Sequence, residues 1–229
     1  MSELEICRFA YEGNFSKLKE KVDSDKSYLT TKDGSGRIPL HWAASGSQTN
    51  IVNYLLQQGS PVDEADDSNW TPLMIASSVG RADIVSALIS RGADVNTLNQ
   101  TGQSALHYAA SKNRDNVVRL LLENRANINA ADHMGSTPLH RAASKGNIKI
   151  LKIFIEDYGN QLDLNSKDCV GNSPLHLACE EERIEAVKML VDAGANPETL
   201  NKEKKSPVEM APSQIRLTLK KIFDAAMYP

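Results

Sequence analysis

Histidine is the residue type in this chain best placed to move protons, and four of its five histidines stand in one recurring setting. His41, His107, His140 and His176 close the phrases Ile38-Pro39-Leu40-His41, Ser104-Ala105-Leu106-His107, Thr137-Pro138-Leu139-His140 and Ser173-Pro174-Leu175-His176. An imidazole that titrates near neutrality can serve as a general base or a metal ligand. Neither role finds the company it needs here. The chain has no HExxH, no GxxxxGK[ST], no GxGxxG after a strand and no GxSxG, and nothing sets a nucleophile beside a base. The three cysteines, Cys7, Cys169 and Cys179, are odd in number and show no Cys-x-x-Cys spacing. That excludes a disulfide framework and a cysteine zinc site, and it fits a reducing compartment. The residues able to do chemistry predict no enzyme, no metal and no cofactor.

The setting of the histidines points to the elements that position them. The phrase recurs as Thr71-Pro72-Leu73-Met74 and, degenerately, as Ser206-Pro207-Val208-Glu209. Its leucines, Leu40, Leu73, Leu106, Leu139 and Leu175, are spaced 33, 33, 33 and 36, and Val208 lies another 33 along. A period of this length marks an array of supersecondary units. Each copy predicts a helix with Ser or Thr as N-cap and Pro at the first position, the hydroxyl accepting first-turn N–H groups. A small pair follows (Ala43-Ala44, Ala76-Ser77, Ala109-Ala110, Ala142-Ala143, Ala178-Cys179), keeping that helix slim enough for close stacking. A second helix, such as Ile84-Val85-Ser86-Ala87-Leu88-Ile89, carries apolar residues at helical spacing. Gly92 and Gly194 fall where a helix ends in a left-handed cap. An Asp-x-x-Gly segment between copies predicts a projecting turn, a finger. The three extra residues before Leu175 fall in Asp157–Asp163, predicting a longer second helix or loop there.

These residues resemble the ankyrin repeat over nearly the whole chain. The implied fold is an all-α repeat protein, an ankyrin-repeat solenoid of seven repeats in a single domain, 1–229. The approximate repeats are 1–35, 36–68, 69–101, 102–134, 135–170, 171–203 and 204–229. The first is an N-terminal cap in which Leu4, Ile6, Ala10, Phe15, Leu18 and Val22 keep helix-pair spacing. The last is a C-terminal cap with Ile215, Leu217, Leu219, Ile222 and Phe223. Terminal repeats need polar outer faces because they lack a neighbour. The resemblance implies that the four repeated imidazoles bond the adjoining turn and tie repeats together, leaving His133 exposed on a finger. It also implies binding through finger tips and the last turns of the first helices.

Composition narrows the partner. Lys and Arg number 26 against 29 Asp and Glu, a net charge of −3, which argues against nucleic acid. No apolar stretch reaches the roughly 18 residues of a membrane span. The acidic start, Met-Ser-Glu-Leu-Glu, is unlike a secretory signal. The expectation is a soluble intracellular protein. Twelve aromatics, 5% of the chain, predict a core of Leu, Ile, Val and Ala. By register the binding positions include Arg37, Asp67, Trp70, His133, Met134 and Cys169 on fingers, and Ser45, Val79, Lys112, Lys145, Glu180 and Glu181 on helices. Their signs change along the chain: Arg37 and the acidic run Asp63, Glu64, Asp66 and Asp67 come early, lysines in the middle, Glu180-Glu181-Glu182 late. A mixed stripe suits a folded partner of complementary charge. Trp42 and Trp70 are the candidate aromatic anchors, although Trp42 could equally pack between first helices.

Longer stretches carry a narrower resemblance. Arg37-Ile-Pro-Leu-His-Trp42, Asn69-Trp-Thr-Pro-Leu73, Leu106-His-Tyr-Ala-Ala-Ser-Lys-Asn-Arg114, Leu139-His-Arg-Ala-Ala143 and Gly171-Asn-Ser-Pro-Leu-His-Leu-Ala-Cys-Glu-Glu-Glu-Arg183 are similar to gankyrin-like proteins. That family consists of seven-repeat assembly chaperones of the proteasome regulatory particle. The resemblance implies a non-enzymatic monomer of cytoplasm and nucleus that clasps the C-terminal domain of a proteasomal AAA ATPase subunit of the base. The matching contact positions are Arg37, Asp67, Lys112 and Glu181. A further acidic contact of the family falls at Leu200, so Glu198 or Glu203 would have to stand in. The family also carries an LxCxE sequence associated with the retinoblastoma protein, and some members bind a cyclin-dependent kinase. Here it reads Leu177, Cys179, Glu181. Such peptides bind extended, whereas this one is predicted inside a first helix with only Glu181 exposed. A cell-cycle adaptor is the alternative function.

Overall fold

The computed structural model describes residues 2–227, with side chains described for 5–226, so the expectation for Leu4 lies outside the described side chains. Helices come in pairs: α1 (Ser2–Glu12) with α2 (Phe15–Ser24), then, after a 3-10 turn at Lys26–Leu29, α3 (Pro39–Ser45) with α4 (Thr49–Gln57). Next are α5 (Pro72–Val79) with α6 (Ala82–Ser90) and α7 (Ala105–Ser111) with α8 (Asp115–Glu123). Then follow α9 (Pro138–Lys145) with α10 (Ile148–Lys152), α11 (Pro174–Glu180) with α12 (Ile184–Asp192), and α13 (Pro207–Met210) with α14 (Arg216–Met227). No strand occurs among the described residues, and none of their helices is long and apolar enough to cross a membrane.

Two compact units result, one holding the residues up to 109 with 119–126, the other 110–118 with those from 127 onward. In the first unit α1 packs on α3, α3 on α5 and α4 on α6. Ala43, Ala44 and Ala76 are fully buried where the first helices meet, with Val52, Leu55, Ile84, Val85 and Leu88 buried beneath them. In the second unit α9 packs on α11, α11 on α13, and α12 on both α10 and α14. Ala142, Ala143, Ala178 and Cys179 fill the corresponding seams. Small side chains let backbones approach, and each buried Leu, Ile or Val on the second helices contributes about 1.5–3 kcal/mol.

Three details depart from the sequence reading. Phe15 is half-exposed and meets Tyr54 edge-on, its centroid 5.4 Å away, instead of entering the core. In α14 only Leu219 and Phe223, one helical turn apart, are buried; Leu217, two residues before Leu219, is turned to solvent. The lengthening in the fifth repeat begins ahead of Asp157: α10 continues as a π-helical stretch, Ile153–Asp157, and the helix reaches 158 before the turn at 159–161. A wider turn absorbs an inserted residue while Ile150, Leu151, Ile153 and Phe154 all stay buried.

The repeated imidazole is a latch at the start of four first helices, α3, α7, α9 and α11; α5 carries Met74 in its place. The N–H groups of Ile38, Ser104, Thr137 and Ser173 donate to Nδ1 of His41, His107, His140 and His176 at 3.3, 3.1, 3.1 and 3.1 Å. An N–H donor forces Nδ1 to be the acceptor and puts the ring hydrogen on Nε2. Nε2 then donates to the carbonyl of the next finger: His41 to Trp70 at 3.0 Å, His140 to Asn172 at 3.0 Å, His176 to Lys205 at 3.1 Å. The imidazole thus caps the N–H of the residue that opens each phrase, a donor other than the first-turn N–H groups expected to bond the hydroxyls. The Oγ atoms of Thr71 and Thr137 accept N–H groups only at 3.4 Å. In the last copy Glu209 replaces histidine, and its Oε2 accepts the N–H and Oγ–H of Ser206 at 2.8 and 2.9 Å.

Candidate protein-binding surface

Each finger is closed by one Asx side chain. In the first unit, Oδ1 of Asp33, Asp66 and Asn99 accepts the N–H groups two and four residues on, at 2.8–3.0 Å. In the second, Asp132, Asp168 and Asn201 do the same at 2.8–3.0 Å. Neighbouring tips are bonded as well. Asp67 N–H donates to Ser35 O and Gln100 N–H to Ser68 O, both at 3.0 Å. In the second unit Cys169 N–H reaches Met134 O at 2.8 Å and Lys202 N–H reaches Val170 O at 3.0 Å. So close an approach explains the finger glycine. Gly171 has φ +83°, and a Cβ there would lie 2.9 Å from the Lys202 nitrogen.

The other polar atom of the staple fixes the side chains a partner would meet. Trp42 Nε1 donates to Asp33 Oδ2 at 2.8 Å, Asn99 Nδ2 to the Tyr108 hydroxyl at 2.8 Å, and Arg141 pairs with Asp132 Oδ2. All three partners stand nine residues after the staple, on the first turn of the following helix. At Asp66 that position is the apolar Ile75, and Arg37 from the preceding finger takes the place, its Nε 2.8 Å from Asp66 Oδ2. Asn201 Nδ2 likewise reaches back to Asn172 Oδ1 at 2.8 Å. Tyr108 and Arg141 escaped the sequence reading; the recurring offset of nine was the signal that could have found them.

The candidate residues then separate by how they are held. In the first unit Arg37 keeps 29% of its side chain exposed, against 4% for Asp66, and lies over Trp42 at 5.4 Å. Trp42 is half-buried and edge-on to Tyr11 at 5.9 Å, so it packs as support for Arg37. Trp70 is half-buried against Tyr108, centroids 4.3 Å apart. The early acidic run does not act together. Asp63 accepts the Asp94 N–H, Glu64 pairs with Lys32 at 2.6 Å, and Asp66 is the finger staple. Asp67 alone of the four is exposed without an ion pair or side-chain hydrogen bond among the described residues. Ser45 and Val79 sit half-buried beside Arg37 and Trp70.

In the second unit Lys112, Lys145, Glu180 and Glu181 are all exposed, as are the finger residues His133, Met134 and Cys169. Glu181 caps α11 and meets Arg183 at 3.6 Å, a surface pair of little energetic weight. Within the LxCxE segment Leu177 is half-buried and Cys179 fully buried in α11, while Glu181 faces solvent. An extended reader of this motif would require α11 to unwind.

The electrostatics match rigid presentation. Burial pushes the Asp66 carboxyl up, but N–H groups of Trp70 and Ser68 and the Arg37 guanidinium outweigh it and hold the acid below its ordinary value. Burial lowers His41, His140 and His176 despite the carbonyls that accept from them. Burial raises the Cys179 thiol to about 12, and burial with the nearby Asp33 charge raises Cys7 to about 12, so neither thiol is a nucleophile near neutrality. No cluster of metal-ligating side chains occurs among the described residues.

Known proteins give a consistent comparison. A family model described as "Ankyrin repeats (3 copies)" matches residues 6–99 and 129–201, and one described as "Ankyrin repeats (many copies)" matches 88–142. The 26S proteasome non-ATPase regulatory subunit 10 of Rattus norvegicus is 48% identical over 67 residues, 29% of this chain and 29% of its own length. Its Homo sapiens counterpart is 47% identical over 67 residues, covering 29% and 30%. The probable 26S proteasome regulatory subunit p28 of Saccharomyces cerevisiae is 38% identical over 58 residues, covering 25% of each. The matched stretch thus spans under a third of these relatives. The ankyrin repeat domain of Bcl-3 superposes with a TM-score of 0.80 at 23% identity, covering 94% of this chain and 97% of that one. At that identity the likeness concerns the fold.

Proposed function

Because the chain belongs to the ankyrin-repeat family, we propose that it is a non-enzymatic protein-binding scaffold that serves as an assembly chaperone of the proteasome regulatory particle. Its partner in this reading is the C-terminal domain of one AAA ATPase subunit of the base, bound by a monomer in cytoplasm and nucleus. The similarity to proteins named as proteasome regulatory subunits supports the assembly, and the finger geometry supports the mode. The observation that carries it is the presentation of charges within each unit. Arg37 is fixed by Asp66 and Trp42, Asp67 is carried on a stapled tip, and Lys112, Lys145, Glu180 and Glu181 stand exposed on first helices. A side chain ordered before binding, as Arg37 is, loses little entropy on association, and charges of both signs select register.

The test is calorimetric titration against purified C-terminal domains of the proteasomal ATPase subunits. One subunit should bind, and Lys112→Glu with Lys145→Glu should weaken it by about tenfold or more, about 1.4 kcal/mol. These two exposed lysines hold no part of the fold, so circular dichroism should be unchanged. Arg37→Glu belongs in the series as a third variant. Binding to no subunit, or affinity indifferent to all three reversals, would sink the proposal. The cell-cycle alternative predicts instead capture of a kinase or the retinoblastoma protein, and the buried Cys179 weighs against the latter.

A further inference from the structure

The second unit carries a groove lined by none of the charges named under the proposed function, although Glu198, weighed in the sequence reading as a stand-in contact, is on its rim. It has a volume of about 460 Å³ and lies where the loop 197–200 faces α13 and α14. Its floor is apolar: Leu200, Val208 and Phe223, with Leu200 51% exposed. Its rim is acidic, with Glu198, Glu209 and Asp224. Leu200 and the half-buried Val208 thus leave apolar surface open to solvent over the buried Phe223. The rim charges are also mostly unspent. Glu198 and Asp224 have no side-chain hydrogen bond or ion pair among the described residues. Glu209 is held below its ordinary value by the Ser206 N–H and hydroxyl, which keeps it ionised while using one of its oxygens. Lys220 is the one cation that lines the groove, leaving three carboxylates against one ammonium.

We propose that this groove binds a short basic segment of a protein partner, an aliphatic side chain seated on Leu200, Val208 and Phe223 with a lysine or arginine on either side. Each half of the recognition follows from charge or burial. The aliphatic residue removes Leu200 and its neighbours from water, which supplies the affinity. The flanking cations answer the excess of negative charge, which supplies orientation and a salt-dependent approach. An acidic segment would meet three carboxylates and be repelled. Apart from Glu198 the site shares no residue with the charges assigned to the ATPase subunit, so Leu200→Asp tests this inference and Lys112→Glu with Lys145→Glu tests that reading, and the two can fail separately.

A fluorescein-labelled peptide, Gly-Arg-Leu-Lys-Gly, titrated with the full chain and followed by anisotropy tests the inference. Saturable binding should weaken at least about tenfold with Leu200→Asp, and by a similar factor with Glu198→Lys plus Asp224→Lys. All three positions are exposed, and the circular dichroism spectrum should not change. In a heteronuclear NMR titration, amide shifts should concentrate on Leu200, Val208, Lys220 and Phe223. A control peptide with Asp for Leu should not bind. Equal binding of both peptides would mean charge attraction alone and would overturn the proposal, as would no saturation in the millimolar range. Self-association of the chain that Leu200→Asp abolishes would assign the groove to a second copy and overturn it likewise.

Discussion

At the residue scale, the unit of organisation is a single Asx side chain in each finger with an imidazole behind it. The imidazole was legible as a repeated letter of a structural phrase that also holds its Nδ1 partner, but the carbonyl that accepts from Nε2 comes from a segment some thirty residues away. The staple was half legible: the Asp-x-x-Gly turn could be read, the second bond to the residue nine places on could not, because Trp42, Tyr108 and Arg141 share no chemistry beyond a donor or acceptor at the right height. The staple sets a sharp contrast among acids that look equivalent in sequence. Asp132 is buried and accepts from Met134 N–H and Ser136 N–H, each at 2.9 Å, while also pairing with Arg141. Asp67 is exposed with no such duty. Asp132→Ala should therefore cost about 2–4 kcal/mol, since it leaves buried N–H groups without acceptors. Asp67→Ala should stay within about 0.5 kcal/mol. Urea unfolding of both variants decides it; equal midpoints would refute the staple as an energetic element.

At the element scale, the helices were legible because the Pro, the small pair and the Ile-Val…Leu-Leu pattern each act locally. The π-helical stretch was not, since an insertion of three residues says that something must lengthen without saying how. The extra length enters where Ile153 and Phe154 can still face the core, and the following turn is tied down by Asn129, whose Nδ2 donates to Gln161 O at 2.6 Å and whose Oδ1 accepts Asp163 N–H at 2.9 Å. Phe154, the second residue of that stretch, is fully buried. Phe154→Ala should destabilise by about 3–5 kcal/mol, combining lost transfer energy with an uncollapsed cavity. Phe15→Ala, at a half-exposed aromatic in α2, should cost less than about 1.5 kcal/mol. Chemical denaturation of the pair measures the difference. If the two costs matched, the π-helical stretch would not be a packed part of the core.

At the scale of the whole molecule, a net charge of −3 argues against a nucleic-acid partner but says nothing about the order of signs along the chain. The early acidic run shows why even the order of charges was only partly legible: three of its four members are spent on the fold, and one is left for a partner. His41, His140 and His176 are each held below the ordinary 6.5 by burial, with the accepting carbonyls of Trp70, Asn172 and Lys205 pulling the other way. The folded chain therefore takes up these protons less readily than the unfolded chain does. Above pH 6.5 both states carry neutral rings and the latch stability is fully present. As pH falls below 6.5 the unfolded state binds protons first, and stability is lost until the folded-state values are passed. Protonation of Nδ1 would also set a proton against the N–H that donates to it, so the loss is built into the latch geometry. Each ring contributes a slope of up to about 1.4 kcal/mol per pH unit in that window. Asp66, held low, adds its own loss only as pH falls below about 3.8, so the two effects separate. Urea midpoints measured from pH 7.5 to 5 should fall steadily below 6.5, and His140→Gln should flatten the curve while lowering stability at pH 7.5. A midpoint that is constant or rises on acidification would show that the imidazoles are not latched as neutral rings.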